Sequence, residues 1–271
     1  MPELPEVETI RKGLLAKIKG KKIKDVEIKV PKLVNFDIAG FKKNVLNASI
    51  VNIRRRAKLV IIDLSNSNSL LIHLKLTGQL ICQGEEEKST RATFYFTDNT
   101  NLIFNDVRKF GYFKLIPTAK LEDFFKTQKF GPEPLEKEFT LDKFKEILNK
   151  KPKSKIKPFL MDQINIAGIG NIYADELLFE AKILPTRIIK TLKEDEIKNL
   201  YKSIKKILNK AIKYKGSSFD AYVDSSGDKG DFAPRVKVYR KTGQKCYRCD
   251  GIVKRIVLGG RGTHFCPKCQ K

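Results

Sequence analysis

Four cysteines near the end of the chain constrain its fold more than any other feature. Cys246 and Cys249 are two residues apart, sixteen residues follow, and Cys266 and Cys269 repeat the same spacing. Each pair can form a knuckle that supplies two thiolates to a tetrahedral zinc ion. The spacing therefore predicts one structural Zn²⁺ bound by these four thiolates. No ligand is expected from the nearby His264, because the thiolates complete the coordination.

The residues between the two cysteine pairs alternate in polarity like the strands of a hairpin. Residues 252–257 and 263–265 flank the segment Leu258-Gly259-Gly260-Arg261-Gly262, whose glycines permit a tight turn. We expect Arg261 at the hairpin tip, where its guanidinium can grip a phosphate through paired hydrogen bonds. The alternative is a purely structural zinc module in which Arg261 is only solvated.

The net charge limits the classes of partner. The 271 residues include 55 Lys and Arg against 31 Asp and Glu, a formal net charge of +24. A surface this basic suits a polyanion such as nucleic acid, or an anionic membrane face. No apolar run approaches the roughly 20 residues that a spanning helix needs, and the first ten residues have no cationic signal segment. We therefore expect a cytoplasmic chain without a membrane partner.

Hydrophobic periodicity separates the chain into two parts near Gly131. Residues 4–18 carry apolar side chains at helical spacing, which predicts an amphipathic helix at the start. From Ile23 the period changes to two, with loop signals between short runs. This pattern predicts a β-sandwich or barrel, and the further runs are 49–64, 70–76, 92–96, 102–104 and 112–116. Cys82 lies alone in this part, and an odd cysteine count argues against a disulfide framework.

After residue 134 the periodicity becomes helical, with predicted helices at 139–148, 158–164, 172–181 and 193–214. The segment Ala167-Gly168-Ile169-Gly170-Asn171 predicts a tight double turn with Asn171 as the N-cap of the third helix. Residues 216–236 are rich in Gly, Ser and Asp without a clear period, and they predict a long mobile loop.

The double turn could also bind phosphate. A helix that begins at Asn171 offers free backbone N–H groups, and counter-charge lies just upstream at Lys151, Lys153, Lys155 and Lys157. Alternatively, Asn171 is only a cap and the lysines form a solvated face.

The start of the chain offers a nucleophile. Removal of the initiator Met is expected before the small residue Pro2, and this leaves a secondary amine at the chain end. An α-amino group has a reference pKa of about 7.7–8.0, so roughly a third is unprotonated near neutral pH, against about a thousandth of a lysine. Attack of this amine on a sugar C1′ would give an iminium that promotes elimination of adjacent phosphates. Glu3 lies beside it in sequence as a proton donor.

Six motifs, in order from the first residue to the last, resemble bacterial formamidopyrimidine-DNA glycosylase. They are PELPEVET, Arg55-Arg56-Ala57-Lys58, His73-Leu74 followed by Thr77-Gly78, Asp106 with Arg108-Lys109-Phe110-Gly111, Ile169-Gly170-Asn171-Ile172-Tyr173-Ala174 and GGRGTHFCPKCQK.

The resemblance implies a bifunctional glycosylase and lyase that flips oxidised purines out of damaged double-stranded DNA and nicks it by β,δ-elimination. It also implies an α+β, two-domain fold: an N-terminal helix and β-sandwich, then a helix-two-turn-helix domain that ends in a zinc-binding β-hairpin. We place the segments at 1–131 (sandwich), 132–236 (helical, with a lesion-capping loop at 216–236) and 237–271 (zinc hairpin). The enzyme is expected to act as a monomer in the bacterial cytoplasm, associated with the nucleoid.

The resemblance also implies roles at matching positions. Pro2 resembles the Schiff-base nucleophile, Glu3 the acid that assists opening of the sugar ring, and Lys58 the proton donor in β-elimination. Arg261 matches the residue linked to δ-elimination and phosphate grip. The lesion pocket is matched by Glu6, Glu176 and Ser217. DNA-binding positions are matched by His73, Leu76, Arg108, Phe110, Lys157, Asn171 and Tyr239.

Two positions depart from the family's pattern. Leu76 stands where the family usually has the Met that fills the hole left by a flipped base; Leu is apolar and similar in volume, so it can still wedge between bases. Where many relatives read Lys-His-Asp-His, this chain has Lys88-Ser89-Thr90-Arg91. No DNA contact is therefore assigned to Ser89.

Two other functions fit parts of the sequence. An enzyme of the endonuclease VIII type prefers oxidised pyrimidines and commonly begins PEGPE; Leu4 in place of Gly and the 216–236 loop favour the purine enzyme. A non-enzymatic zinc-ribbon DNA-binding protein would leave Pro2 and Glu3 incidental. Borohydride trapping on damaged DNA separates an enzyme from a binding protein.

Overall fold

The computed structural model describes all of residues 1–271. The chain divides into two compact units: residues 1–128 with 214–233, and residues 129–213 with 234–271. The predicted helical segment 132–236 therefore differs from this division, because residues 214–233 lie with the first unit. No helix is both long enough and apolar enough to cross a membrane.

The first unit opens with helix α1 (Leu4–Ile18), as the periodicity predicted. Its N-terminus has a capping box in which the Glu3 side chain accepts from the Glu6 backbone N–H and the Glu6 side chain accepts from the Glu3 backbone N–H. Two otherwise unpaired N–H groups are thereby satisfied. The helix buries Val7, Ile10 and Leu14 in the core of the unit.

Eight strands then form two four-stranded sheets. They are β1 (Ile23–Ile28), β2 (Ile50–Arg56), β3 (Leu59–Leu64), β4 (Asn68–His73), β5 (Gln79–Cys82), β6 (Thr90–Phe96), β7 (Asn101–Asn105) and β8 (Tyr112–Pro117). The sheet orders are β1-β6-β7-β5 and β2-β3-β4-β8, with antiparallel pairing throughout. The predicted run 49–64 is split by the turn at Ala57 and Lys58, and the four-residue β5 was not predicted.

Aromatic rings fill the sandwich core. Phe113 lies 4.9 Å from Phe104, 5.9 Å from Phe94 and 6.5 Å from Phe41 between ring centroids. Phe41 comes from helix α2 (Ile38–Val45), which the sequence analysis missed although Asp37 is an N-cap that accepts from the Gly40 N–H at 2.7 Å. Helix α3 (Leu121–Gln128) ends the continuous part of this unit.

The predicted loop at 216–236 contains no strand and only one short 3-10 turn at Ala233–Arg235. Its described contacts within the first unit are numerous. Ser225 O accepts from the Cys82 N–H at 3.0 Å and from Lys17 Nζ at 3.2 Å. The Gln79 side-chain amide donates to Ala221 O.

The second unit is helical and ends in the predicted hairpin. Its elements are α4 (Leu141–Asn149), α5 (Ile156–Met161), α6 (Asn171–Ala181), α7 (Glu194–Lys213), β9 (Lys254–Leu258) and β10 (Arg261–Phe265). Helix α6 is buried on nearly all faces, and α7 buries Leu200, Ile204 and Leu208 on one face. The α+β architecture predicted from the sequence is confirmed.

One local expectation in this unit is wrong. Gly170, in an extended conformation, is the N-cap of α6, and Asn171 is the first helical residue. The double turn before it is instead fastened by Gln163, which donates to Ile169 O at 2.8 Å and accepts from the Gly168 N–H at 2.8 Å. The Asn171 side chain is thus left for another contact.

Candidate functional site

Four predicted residues of the first unit meet at the N-terminus of α1. Pro2 is buried, and only 2% of Glu3 and 1% of Glu6 are exposed. Glu6 Oε2 accepts from the Glu3 N–H at 2.8 Å, and Glu6 Oε1 accepts from the Ser217 N–H at 2.8 Å. Glu6 thereby joins the start of the chain to the loop at 216–236.

The approach of that loop requires a glycine. Gly216 has a φ of +79°, and a Cβ there would lie 2.8 Å from Glu6 Oε1. A side chain at this position would push the Ser217 N–H away from its acceptor. Met1 precedes Pro2 in the chain, so the Pro2 nitrogen becomes a secondary amine, as the predicted nucleophile requires, only after Met1 is removed.

Lys58 lies in the turn between β2 and β3 and is only 7% exposed. The preceding Ala57 has a φ of 52°, and its carbonyl accepts from Arg55 Nη1 at 2.9 Å. Arg55 also pairs with Glu8 of α1 at 3.2 Å. This chain of contacts ties the turn that carries Lys58 to the helix that begins beside Glu3.

His73, at the end of β4, is held as a neutral ring. Its Nδ1 accepts from the Lys75 N–H at 2.9 Å, which leaves the proton on Nε2. Burial, with the positive charges of Lys75 and Lys58, lowers the pKa of His73 to about 3. A neutral imidazole whose free nitrogen carries hydrogen can donate to a phosphate oxygen.

Two neighbouring loops carry the predicted wedge residues. Leu76 lies between β4 and β5, and Arg108 and Phe110 lie between β7 and β8. The Arg108 guanidinium stacks 4.9 Å from the Phe110 ring centroid, and Phe110 is 52% exposed. Val107, which the sequence analysis did not single out, is 66% exposed beside them. Such exposed apolar side chains suit insertion between bases.

In the second unit, Lys157, which is predicted to contact the DNA backbone, is a buried residue. Its side chain is 1% exposed, and Nζ lies 2.7 Å from Asp175 Oδ1. The same nitrogen donates to Thr263 Oγ1 at 2.8 Å and to Gly262 O at 3.2 Å. The ammonium is therefore used inside the unit, where it holds the strand that carries Arg261.

Asn171 shares that task. Its Nδ2 donates to Gly262 O at 3.1 Å, so the Gly262 carbonyl next to Arg261 is held by two side chains. Asp175, which the sequence analysis missed, also accepts from the His264 N–H at 2.9 Å and contacts His264 Nδ1 at 2.9 Å. An acidic residue in a fully buried stretch of helix was the signal that could have found it.

Glu176, which is predicted to line the lesion pocket, is also buried and bound to the backbone. Its carboxylate accepts from the backbone N–H groups of Lys237, Val238 and Tyr239 at 2.8–2.9 Å. Burial raises its pKa, opposed by these three donors. Glu176 thereby fixes the backbone of Tyr239, whose ring packs edge-on against His264 at 5.1 Å.

Arg261 is exposed as the first residue of β10, paired with Leu258 across a two-residue turn. The turn residues Gly259 and Gly260 have φ values of 57° and 72°, which only glycine adopts readily. The hairpin therefore presents the guanidinium of Arg261 next to this tight two-residue turn.

The four predicted zinc ligands converge. The Sγ atoms of Cys246, Cys249, Cys266 and Cys269 all lie within 4.8 Å of one another. Four thiolates about 2.3 Å from a central zinc would have this spacing. The N–H groups of Arg248 and Gly251 donate to Cys246 Sγ and Cys249 Sγ at 3.4 Å. The donor set and its geometry fit one structural Zn²⁺.

Family models match along most of the chain. Residues 1–113 match the formamidopyrimidine-DNA glycosylase N-terminal domain, residues 130–222 the H2TH domain of the same glycosylase, and residues 243–271 a zinc finger found in FPG and IleRS.

Whole-chain relatives agree with these matches. Formamidopyrimidine-DNA glycosylases of Carboxydothermus hydrogenoformans and Streptococcus mutans are 44% and 42% identical, and each alignment covers 100% of both chains. Lactococcus lactis Fpg, solved in complex with DNA that contains an abasic site, has a TM-score of 0.92 at 41% identity over 99% of both chains. MutM in complex with DNA that contains carbocyclic 8-oxo-G has a TM-score of 0.92 at 41% identity over 100% of both chains.

Proposed function

Because this chain belongs to the family of formamidopyrimidine-DNA glycosylases, we propose that it excises damaged bases through the amine of Pro2. The reaction is base excision repair of oxidised purines, 8-oxoguanine and formamidopyrimidines, by a glycosylase and AP lyase. The observation that supports this assignment is the buried pair Glu3 and Glu6 at the N-terminus of α1, beside Pro2 and in contact with Ser217.

The proposed reaction proceeds in three stages: base removal, opening of the sugar ring and elimination of the two phosphates. The unprotonated Pro2 nitrogen bonds to C1′ as the bond between C1′ and the base breaks; the bonding electron pair leaves with the base, which takes up the proton that the attacking amine loses. Glu3 supplies a proton to O4′ as the sugar ring opens, and the nitrogen lone pair then completes an iminium with C1′. Loss of a C2′ proton then expels the 3′ phosphate, and a second elimination expels the 5′ phosphate.

Lys58 and Arg261 are proposed for the elimination steps. Lys58 is buried in its turn, and its positive charge contributes to lowering the pKa of His73; this supports its role as a proton donor beside a residue proposed to contact a phosphate. Arg261 offers an exposed guanidinium at the start of β10 in the hairpin, and this group favours bidentate contact with phosphate. The zinc that Cys246, Cys249, Cys266 and Cys269 would hold stabilises that hairpin.

The proposed partner is damaged duplex DNA, as in the solved relatives, and the proposed active form is a monomer in the bacterial cytoplasm. His73 and backbone N–H groups near Asn171 would contact phosphates. Leu76, Arg108 and Phe110 would fill the void left by the flipped base. Lys157, Asn171 and Glu176 would act through the segments that they hold, those of Arg261 and Tyr239.

Borohydride trapping tests the nucleophile. The protein should form a covalent complex with duplex DNA that contains 8-oxoguanine, and Pro2→Gly should reduce the yield severely. A matched control uses one preparation with a cleavable N-terminal extension, because removing the extension regenerates Pro2 as the first residue. Trapping should be absent before cleavage and restored after it. Equal trapping in both states would show that Pro2 is not the nucleophile.

A further inference from the structure

The two loops that carry the wedge residues cross between the sheets side by side. Strand β4 pairs with β8, with His73 opposite Tyr112, and β5 pairs with β7, with Gln79 opposite Asn105. The connections β4–β5 and β7–β8 must therefore both pass from one sheet to the other at the same edge. Leu76 lies on the first connection, and Arg108 and Phe110 lie on the second.

One buried carboxylate joins these two connections. Asp106 is 1% exposed, and its Oδ1 accepts from Thr77 Oγ1 of the first loop and from the Arg108 N–H of the second at 3.2 Å. Its Oδ2 accepts from the Gly111 N–H at 2.7 Å. The Arg108 N–H is shared, because it also donates to Thr77 Oγ1 at 3.1 Å.

Both loops contain residues in an unfavourable backbone conformation, so they need contacts such as those of Asp106 to hold them. Lys75 and Lys109 have φ values of 50° and 57°, in the left-handed region that non-glycine residues seldom adopt. Gly111 is packed so closely that a Cβ would lie 2.5 Å from Phe104 Cζ and 3.2 Å from His73 O. Surrounding contacts must hold this geometry in place.

The main chain of Asp106 is itself fixed. Its N–H donates to Ser89 O at 2.9 Å, and its carbonyl accepts from Arg91 Nε at 2.9 Å. Arg91 belongs to the segment that departs from the family's usual sequence, so in this chain that segment supports Asp106. These two hydrogen bonds hold the backbone that carries the Asp106 carboxylate in place.

We propose that Asp106 is a positioning residue that couples the two loops, so that Leu76 and the Arg108–Phe110 stack enter the duplex as one unit during base extrusion. The proposal rests on the proposed function, in which these side chains fill the void. Asp106 itself is 1% exposed, so in this role it acts through the loops and not by contact with the base or the sugar. Its loss should therefore impair extrusion from a paired duplex and spare the chemistry on a lesion that has no partner base.

The test is Asp106→Asn, assayed by single-turnover excision on two duplexes. One has the 8-oxoguanine fully paired, and the other lacks the base opposite the lesion, so that no partner base must be unstacked. The variant keeps the shape of Asp106 but sets an amide N–H against a backbone N–H. Excision from the paired duplex should slow by about 10- to 100-fold, as small misplacements do, with a loss of less than about 3-fold on the other duplex.

The control is Asp98→Asn, an exposed turn aspartate of the same unit, which should match the wild type on both duplexes. Thr77→Val removes the two contacts of the hydroxyl but leaves the Asp106 carboxylate in place, so it should show a smaller loss with the same substrate dependence. In combination with Phe110→Ala, Asp106→Asn should add little further loss, because both act on the same step.

Equal losses on both duplexes, or full additivity with Phe110→Ala, would overturn the coupling role. So would unimpaired excision by Asp106→Asn from the paired duplex. If the wild type excised from neither duplex and formed no trapped complex, the proposed function itself would fail, and that outcome differs from every outcome expected of the variants.

Discussion

At the scale of single residues, the Glu3 carboxylate caps α1, and the same group is proposed to supply a proton during excision. Glu3→Gln keeps an oxygen that can accept from the Glu6 N–H but cannot supply a proton. Excision of 8-oxoguanine should fall by about 100-fold or more, the typical contribution of general acid catalysis. Cleavage at a preformed abasic site should fall much less, since its sugar ring already opens spontaneously. Equal losses on the two substrates would count against the assigned role.

His73 makes stability depend on pH. Burial lowers its pKa from 6.5 to about 3 in the folded protein. As the pH drops from 6.5 towards 3, the unfolded chain binds a proton that the folded chain does not, so folding is disfavoured. At pH 5 this linkage costs about 2 kcal/mol relative to pH 8. Urea unfolding of His73→Gln should show a weaker loss of stability between pH 8 and pH 5 than the wild type. Parallel curves would contradict the neutral, buried ring.

At the scale of elements, α6 organises the second unit through two successive acids. Asp175 pairs with Lys157 and contacts His264. Glu176 accepts hydrogen bonds from the backbone N–H groups of residues 237–239. Because successive helical residues point in different directions, one helix can fix two separate segments. The residues on which α6 acts include the hairpin strand with Arg261 and the segment with Tyr239.

The zinc hairpin is too small to fold around its own apolar core, so the four thiolates must supply its stability. Metal analysis should find one zinc per chain. Cys249→Ser should lose the zinc and abolish DNA binding, while the circular dichroism signal of the β-sandwich is retained. Cys82→Ser is the matched control, because Cys82 lies outside the cluster, and it should keep both zinc and binding. Tight binding of damaged duplex by a zinc-free preparation would refute the prediction.

At the scale of the whole molecule, a salt titration should distinguish residues that bind phosphate by charge from the wedge residues that unstack bases. Each neutralised phosphate contributes about −0.9 to the slope of log K against log salt. Arg261→Ala should therefore make this negative slope less steep by about one. Phe110→Ala should slow base removal with little change in slope, because unstacking depends on DNA deformation. Lys157→Met should also leave the slope unchanged, because its ammonium is buried against Asp175.

Lesion-containing and undamaged duplexes of the same sequence provide the comparison for all three variants. A slope change in Phe110→Ala as large as that in Arg261→Ala would show that Phe110 also contributes to phosphate binding, contrary to the prediction. A slope change of about one in Lys157→Met would show that its ammonium reaches a phosphate in the complex.

The sequence by itself determined the features that depend on spacing along the chain. The cysteine pairs defined the zinc site, period-two and helical patterns defined most strands and helices, and ordered motifs identified the family. Tertiary structure decided which polar residues face solvent and which are enclosed. Lys157 and Glu176 are predicted as site residues from sequence, and only the structure shows that each is buried against partners distant in the chain. The roles of Asp175 and Asp106 likewise depend on burial and on hydrogen-bond partners from other segments of the chain. A linear pattern records side-chain chemistry and period, whereas burial and hydrogen-bond partners arise only when distant segments pack together.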